Sequence, residues 1–177
     1  MLDAATLEEY TKERLKEGDL EAERLLDAGL AAARRWCGWH VTPEESHEVT
    51  LDGPGGQLLR LPTLRLVELG SVTEDGVALD AGDLEWSRIG LVRKRSGALW
   101  TARLGAITVT MTHGFEVGTD FEAAVLSVID RTSRAADGGA PIQVGPFRWA
   151  EDQMASGSAF TMAELSIFEQ YRLERPA

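Results

Sequence analysis

The stretch that most constrains the fold is residues 107–131, ITVTMTHGFEVGTDFEAAVLSVIDR. Ile107, Val109 and Met111 alternate with Thr108, Thr110 and Thr112. A period of two with β-branched residues is the mark of a half-buried strand. Gly114 and Gly118 then bracket a turn, and Thr119-Asp120-Phe121-Glu122 has the form of a capping box. Phe121, Ala124, Val125, Val128 and Ile129 follow at helical spacing, up to a stop at Gly138-Gly139. A strand, a glycine corner and an amphipathic helix in immediate succession require two different surfaces to pack on. The rest of the chain must supply a sheet and a helical layer.

The upstream sequence offers both. A short helix is predicted over 3–17, with Leu7, Tyr10 and Leu15 on one side and Thr6-Leu7-Glu8-Glu9 as a capping box. Gly18 separates it from a second helix over 19–37, capped by Asp19, with Ala22, Leu25, Leu26, Gly29, Leu30, Ala33 and Trp36 on one face. With the helix over 120–136 these form a small helical bundle. Between them, residues 41–114 are β-rich and antiparallel: short runs separated by Asp, Gly and Pro, notably Asp52-Gly53-Pro54-Gly55-Gly56 and Glu74-Asp75-Gly76. Expected strands include Leu64 to Val72, with Val67 and Leu69 on one face, then Leu84 to Ile89, Gly90 to Arg93 and Ala98 to Trp100. Arg93-Lys94-Arg95-Ser96-Gly97 reads as a hairpin tip. The fold class is α+β, with a single domain over 1–139 and a C-terminal arm over 140–177. In that arm, 144–149 can form one edge strand, and Thr161-Met162-Ala163-Glu164 is a capping box opening a last helix. This helix can dock on its own bundle or on another subunit; the sequence leaves both open.

Composition narrows the function. No run of about 18 apolar residues exists, so no transmembrane helix is expected, and the acidic start MLDAATLEEY is no secretory signal. The single Cys37 excludes an internal disulfide and, between Trp36 and Trp39, reads as a buried thiol. The formal charge of -11 over 177 residues disfavours tight nucleic-acid binding, which needs cations to release phosphate counterions, but suits a surface that DNA slides past. Residues 41–90 carry 10 acids against 3 bases, whereas 91–105 carry Arg93, Lys94, Arg95 and Arg103 with no acid. That basic hairpin is either a solvated tip or a contact for an acidic partner or passing DNA.

Catalytic and metal signatures are wanting. His40, His47 and His113 stand at no i, i+4 ligand spacing, and Cys37 is not in a Cys-x-x-Cys, so no metal site is expected. No phosphate loop, dinucleotide fingerprint or nucleophile elbow is present, and no catalytic residue or cofactor is assigned. Trp149, an aromatic in a sparse tail, suits an interface anchor.

In order along the chain, several features together resemble the head-to-tail connector (adaptor, or head-completion) proteins of long-tailed bacteriophages. They are the Ala-rich second helix ending Trp36-Cys37-Gly38-Trp39, Leu59-Arg60-Leu61-Pro62, the Asp75-Gly76 turn and the tryptophan-glycine segments Trp86, Gly90 to Arg93 and Trp100. Ile107 to Gly114 with its helix, Val144-Gly145-Pro146-Phe147 and the closing Leu165 to Leu173 helix complete the series. The resemblance implies a virion structural protein, not an enzyme: a homo-oligomeric ring, a dodecamer in this family, beneath the portal. Such a ring extends the DNA channel and links head to neck, stopper or tail. It implies a place in the virion neck, with assembly in the host cytoplasm, no cofactor and no membrane. DNA would pass through the lumen without specific binding. Carried over by position, Trp149, Phe160, Leu165, Phe168, Tyr171 and Arg172 would lie in the portal-docking or inter-subunit arm. The competing expectation is a monomeric β-rich protein-binding module without catalytic activity.

Overall fold

In the computed structural model, which describes residues 2–136 and 160–174, the alternating stretch is strand β7, Ile107–His113, buried on every second side chain. It runs between β1 (Glu45–Leu51) and β3 (Leu66–Glu74), and β4 (Val77–Leu79) extends the sheet to the antiparallel order β1-β7-β3-β4. A second antiparallel sheet, in the order β2-β6-β5, comprises β2 (Leu58–Arg60), β5 (Leu84–Trp86) and β6 (Leu91–Lys94). Leu59, Val92 and Leu84 from the small sheet join Leu66, Val72, Val109 and Met111 from the large one in a single apolar cluster closed by Trp100. Asp75 and Gly76, with φ of 51° and 80°, link β3 to β4 in the left-handed geometry that follows strand twist in a tight hairpin.

β3 corrects the expected strand pattern. Leu66, Leu69 and Val72 point inward at a spacing of three, and Val67 is exposed rather than paired with Leu69. The cause is two register shifts against β7, between Leu66 and Glu68 and between Leu69 and Val72. Each inserts one residue, so a period of two becomes three. Residues 98–100 likewise form no strand. The chain turns at Gly97, whose amide bonds the Lys94 carbonyl, but the return leg bonds the glycine-rich turn instead: Trp100 N to Gly56 O at 2.8 Å, and Gly53 N to Arg103 O at 2.8 Å. A Cβ on Gly53 would stand 2.1 Å from the Thr101 carbonyl oxygen, so only glycine admits this leg.

The helices are α1 (Ala4–Tyr10), α2 (Leu20–Cys37), α3 (Thr119–Ala136) and α4 (Met162–Gln170). Two compact units result: residues 1–38 with 118–172, and residues 39–117 with 173–177. α1 is shorter than the expected 3–17 span and is capped by Asp3, which accepts from Thr6 N, rather than by a box at Thr6. It stops because Thr11 Oγ1 donates back to Leu7 O and accepts from Leu15 N, while Lys12 and Glu13 take φ of 54° and 61°. Leu15 is buried all the same. α2 keeps its Asp19 cap and ends on Gly38 at φ 83°. α3 starts one position earlier than a Thr119 cap would have it, since Glu122 N donates to Gly118 O. α2 and α3 approach at Gly29, where an added Cβ would lie 2.7 Å from Ile129 Cγ1.

Candidate functional site

The closing helix is held on its own compact unit by one polar and one aromatic device. Thr161 and Glu164 complete the expected capping box, with Glu164 N on Thr161 Oγ1 and Thr161 N on Glu164 Oε2. The same carboxylate, 4% exposed, accepts both Arg131 Nη1 and Nη2 of α3 at 2.7 and 2.9 Å, and Ser127 Oγ at 3.0 Å. Burial works to raise the pKa of Glu164; the forked guanidinium, the Thr161 amide and the Ser127 hydroxyl outweigh it and hold the carboxyl below the ordinary glutamate value. Phe168 is fully buried, edge-on to Phe121 of α3 at 5.5 Å and to Phe160 at 5.1 Å, and Phe160 meets Trp36 of α2 edge-on at 6.3 Å. Tyr171 donates its hydroxyl to Asp120 Oδ1 at 2.6 Å, and desolvation followed by that contact raises its pKa. The Arg172 guanidinium lies over the Trp36 ring at 5.3 Å.

Of the six arm residues expected to meet a partner, Phe160 and Phe168 are therefore internal, Leu165 and Tyr171 are half-buried, and Arg172 is exposed. Trp149 and the edge strand expected at 144–149 lie outside the described residues. Cys37 is buried, as expected, with its Sγ 3.5 Å from the Phe168 carbonyl, and burial pushes its pKa up to about 12.

Each cation of the basic hairpin has a carboxylate partner. Arg93 Nε donates to Glu85 Oε2 at 2.6 Å and Arg95 Nη1 reaches Glu85 Oε1 at 3.2 Å. Arg103 meets Asp75 at 2.9 Å. Lys94 differs from the three arginines: its side chain is 15% exposed, lies 4.7 Å from the Trp100 ring centroid, and bridges Glu74 and the Leu99 carbonyl. It is a structural cation, whereas Arg93, Arg95 and Arg103 are 57–77% exposed at the side chain.

The structure also assembles a cluster that sequence spacing did not reveal. β1 and β7 pair with His47 opposite Met111 and Glu45 opposite His113, which puts His47 and His113 diagonally on one face. His40 joins them from the segment after α2. Its ring centroid is 4.3 Å from that of His113 and 4.9 Å from that of His47. One ligating atom from each ring lies within 4.8 Å of the others, and His47 Nδ1 is 3.1 Å from His113 Nε2. Trp39 stacks on His113 at 6.0 Å. Burial, then the neighbouring His40 and His47, lower the His113 pKa to about 4, so its ring is neutral near pH 7. The sequence placed His47 and His113 on expected strands, but which strands pair and in what register is decided by the tertiary fold.

No protein-family model matches the sequence, and no curated protein does. Solved structures match it over its length. A chain from the neck of an empty gene transfer agent (GTA) particle, computed with C6 symmetry, superposes with a TM-score of 0.65 at 13% identity, covering 99% of this chain and 91% of that one. A chain from the neck of the native GTA particle, computed with C12 symmetry, gives 0.62 at 12% identity, covering 100% and 94%. One from the virion of the native particle gives 0.66 at 15% identity, covering 99% and 91%. This chain thus shares its fold with chains from the neck and virion of a gene transfer agent particle, in keeping with the head-to-tail connector resemblance of its sequence.

Proposed function

We propose that the protein is a head-to-tail adaptor, a virion structural component without catalytic activity that forms a ring under the portal, extends the DNA channel and links the head to the neck or tail. The observation that carries this is the match over 99–100% of the chain to two chains of particle necks, computed with sixfold and twelvefold symmetry, and to a chain of the particle's virion. A ring of twelve copies is the form this supports. The charge of -11 suits a channel that repels phosphate and lets DNA move without adhering. The C-terminal segment from residue 140 onward is the part that engages the portal or a neighbouring subunit. In that role Phe160 and Phe168 anchor α4, and its rim of Leu165, Tyr171 and Arg172, together with Trp149, meets the partner. Arg93, Arg95 and Arg103 form the surface best suited to an acidic partner or passing DNA.

Light scattering and negative-stain imaging of the purified chain, alone and with the portal protein of the same particle, test the proposal. Rings, or co-migration with portal, are expected. A chain that stays monomeric at micromolar concentration and never joins portal overturns the adaptor role and favours the monomeric binding module.

A further inference from the structure

The three imidazoles gathered at the end of β7 lie outside the residues assigned to the adaptor role. We propose that His40, His47 and His113 form a binding site for one divalent transition-metal ion of the zinc type, which clips the segment after α2 onto the β1–β7 pair. The proposal stands independently of the adaptor function and concerns one compact unit, residues 39–117.

Geometry is the first argument. Zinc–nitrogen bonds of about 2.0–2.1 Å at tetrahedral angles place two ligating nitrogens about 3.3 Å apart. His47 Nδ1 and His113 Nε2 already stand at 3.1 Å, and the third ring offers an atom within 4.8 Å of both. Binding an ion would require the third ring to close the remaining gap. Between His47 and His113 the metal-free protein must place a proton; an ion replaces it and lets both lone pairs converge on one centre.

The surroundings are those of an oriented ligand set. His40 Nε2 donates to the Pro43 carbonyl at 2.7 Å, which leaves the lone pair of that ring on Nδ1. Glu45 Oε2 lies 3.4 Å from His47 Nε2, the remote nitrogen, as an outer carboxylate does when it fixes a ligating imidazole. His113, 4% exposed, is held by packing rather than by an outer hydrogen bond, since its Nδ1 has no partner among the described groups. Trp39 walls the cluster on one side, while the His47 side chain is 40% exposed and provides a route in and room for a solvent ligand.

The backbone is distorted where it delivers His40. Val41, β-branched and fully buried, holds φ at 66°, at the centre of a tight turn closed by Thr42 N to His40 O at 2.9 Å. Such a conformation is an outlier for a β-branched residue and persists only where its surroundings enforce it. On the facing side, a Cβ at Gly114 would stand 2.6 Å from His40 Nε2 and 2.4 Å from the Pro43 carbonyl oxygen. A strained valine and an obligatory glycine thus both serve to press one imidazole against two others. Three nitrogen donors select zinc, nickel, cobalt or copper ions over magnesium or calcium, which take oxygen ligands.

The test uses the full tag-free chain, stripped with a chelator and titrated with zinc chloride by calorimetry, then with cobalt chloride while the visible spectrum is recorded. Expected are saturation at about one ion per chain, cobalt absorption bands of a tetrahedral nitrogen site, and a higher melting temperature with zinc. His47→Gln, at the open side, and His40→Gln, on the loop, should each lose about ten-fold or more in affinity while their metal-free circular dichroism stays native. Absence of saturable binding overturns the proposal. So does binding of equal strength in both variants, which would place the ion on surface carboxylates.

Discussion

Phe168→Ala tests whether α4 belongs to its own helical unit. The ring is fully buried and edges onto Phe121 and Phe160. Its truncation forfeits about 1.5–3 kcal/mol of apolar transfer. Two aromatic pairs, at about 0.5–1.5 kcal/mol each, go with it. The sum agrees with the range of about 3–5 kcal/mol for Phe→Ala in a core that relaxes only partly. Against a domain stability of about 5–15 kcal/mol this is a large fraction. Urea denaturation should show a midpoint lowered by at least about 1 M. Hydrogen exchange should quicken over 162–170 and over the faces of α2 and α3 that α4 covers. Met162→Ala, 65% exposed on the same helix, should stay within about 0.5 kcal/mol of the parent. A Phe168→Ala loss below about 1 kcal/mol would refute the seat: α4 would then spend its time off the bundle in the free chain, as an arm that finds its apolar partner only on another subunit.

Two other predictions follow from the ion pairs. Because the partners of Glu164 hold its pKa below the unfolded value, its contribution to stability is fully present above the unfolded pKa and is lost as pH falls through the folded one. Glu164→Gln keeps the capping-box geometry but not the charge, so its deficit against the parent should be largest near neutrality and shrink below about pH 4, read from urea midpoints across pH. In the β-rich unit, Lys94→Ala should cost about 1–3 kcal/mol, since it strands the half-buried Glu74 and uncovers Trp100. Arg103→Ala, whose side chain is 77% exposed, should cost under about 1 kcal/mol; equal losses in thermal melts would contradict the division between structural and surface cations.

What the sequence determined by itself is everything fixed within a few residues. The alternation of β7, the apolar faces of α2 and α3, the Asp19 cap, the Asp75-Gly76 turn and the Thr161–Glu164 box are local, because hydrogen bonds and side-chain periods there span no more than a turn or a strand. Even the early stop of α1 has a local cause, although Thr11 turning back on its own helix is a competition that composition does not settle. The tertiary structure decided what depends on register and on segments far apart in sequence. The bulges in β3 arise only against β7, and the leg after Gly97 finds its partners, Gly56 and Gly53, 44 and 50 residues upstream of Trp100 and Arg103. Glu164 finds Arg131 across residues that no period links. His40, His47 and His113 meet because one strand register and one strained turn bring them together, and no spacing along the chain encodes a distance across a sheet.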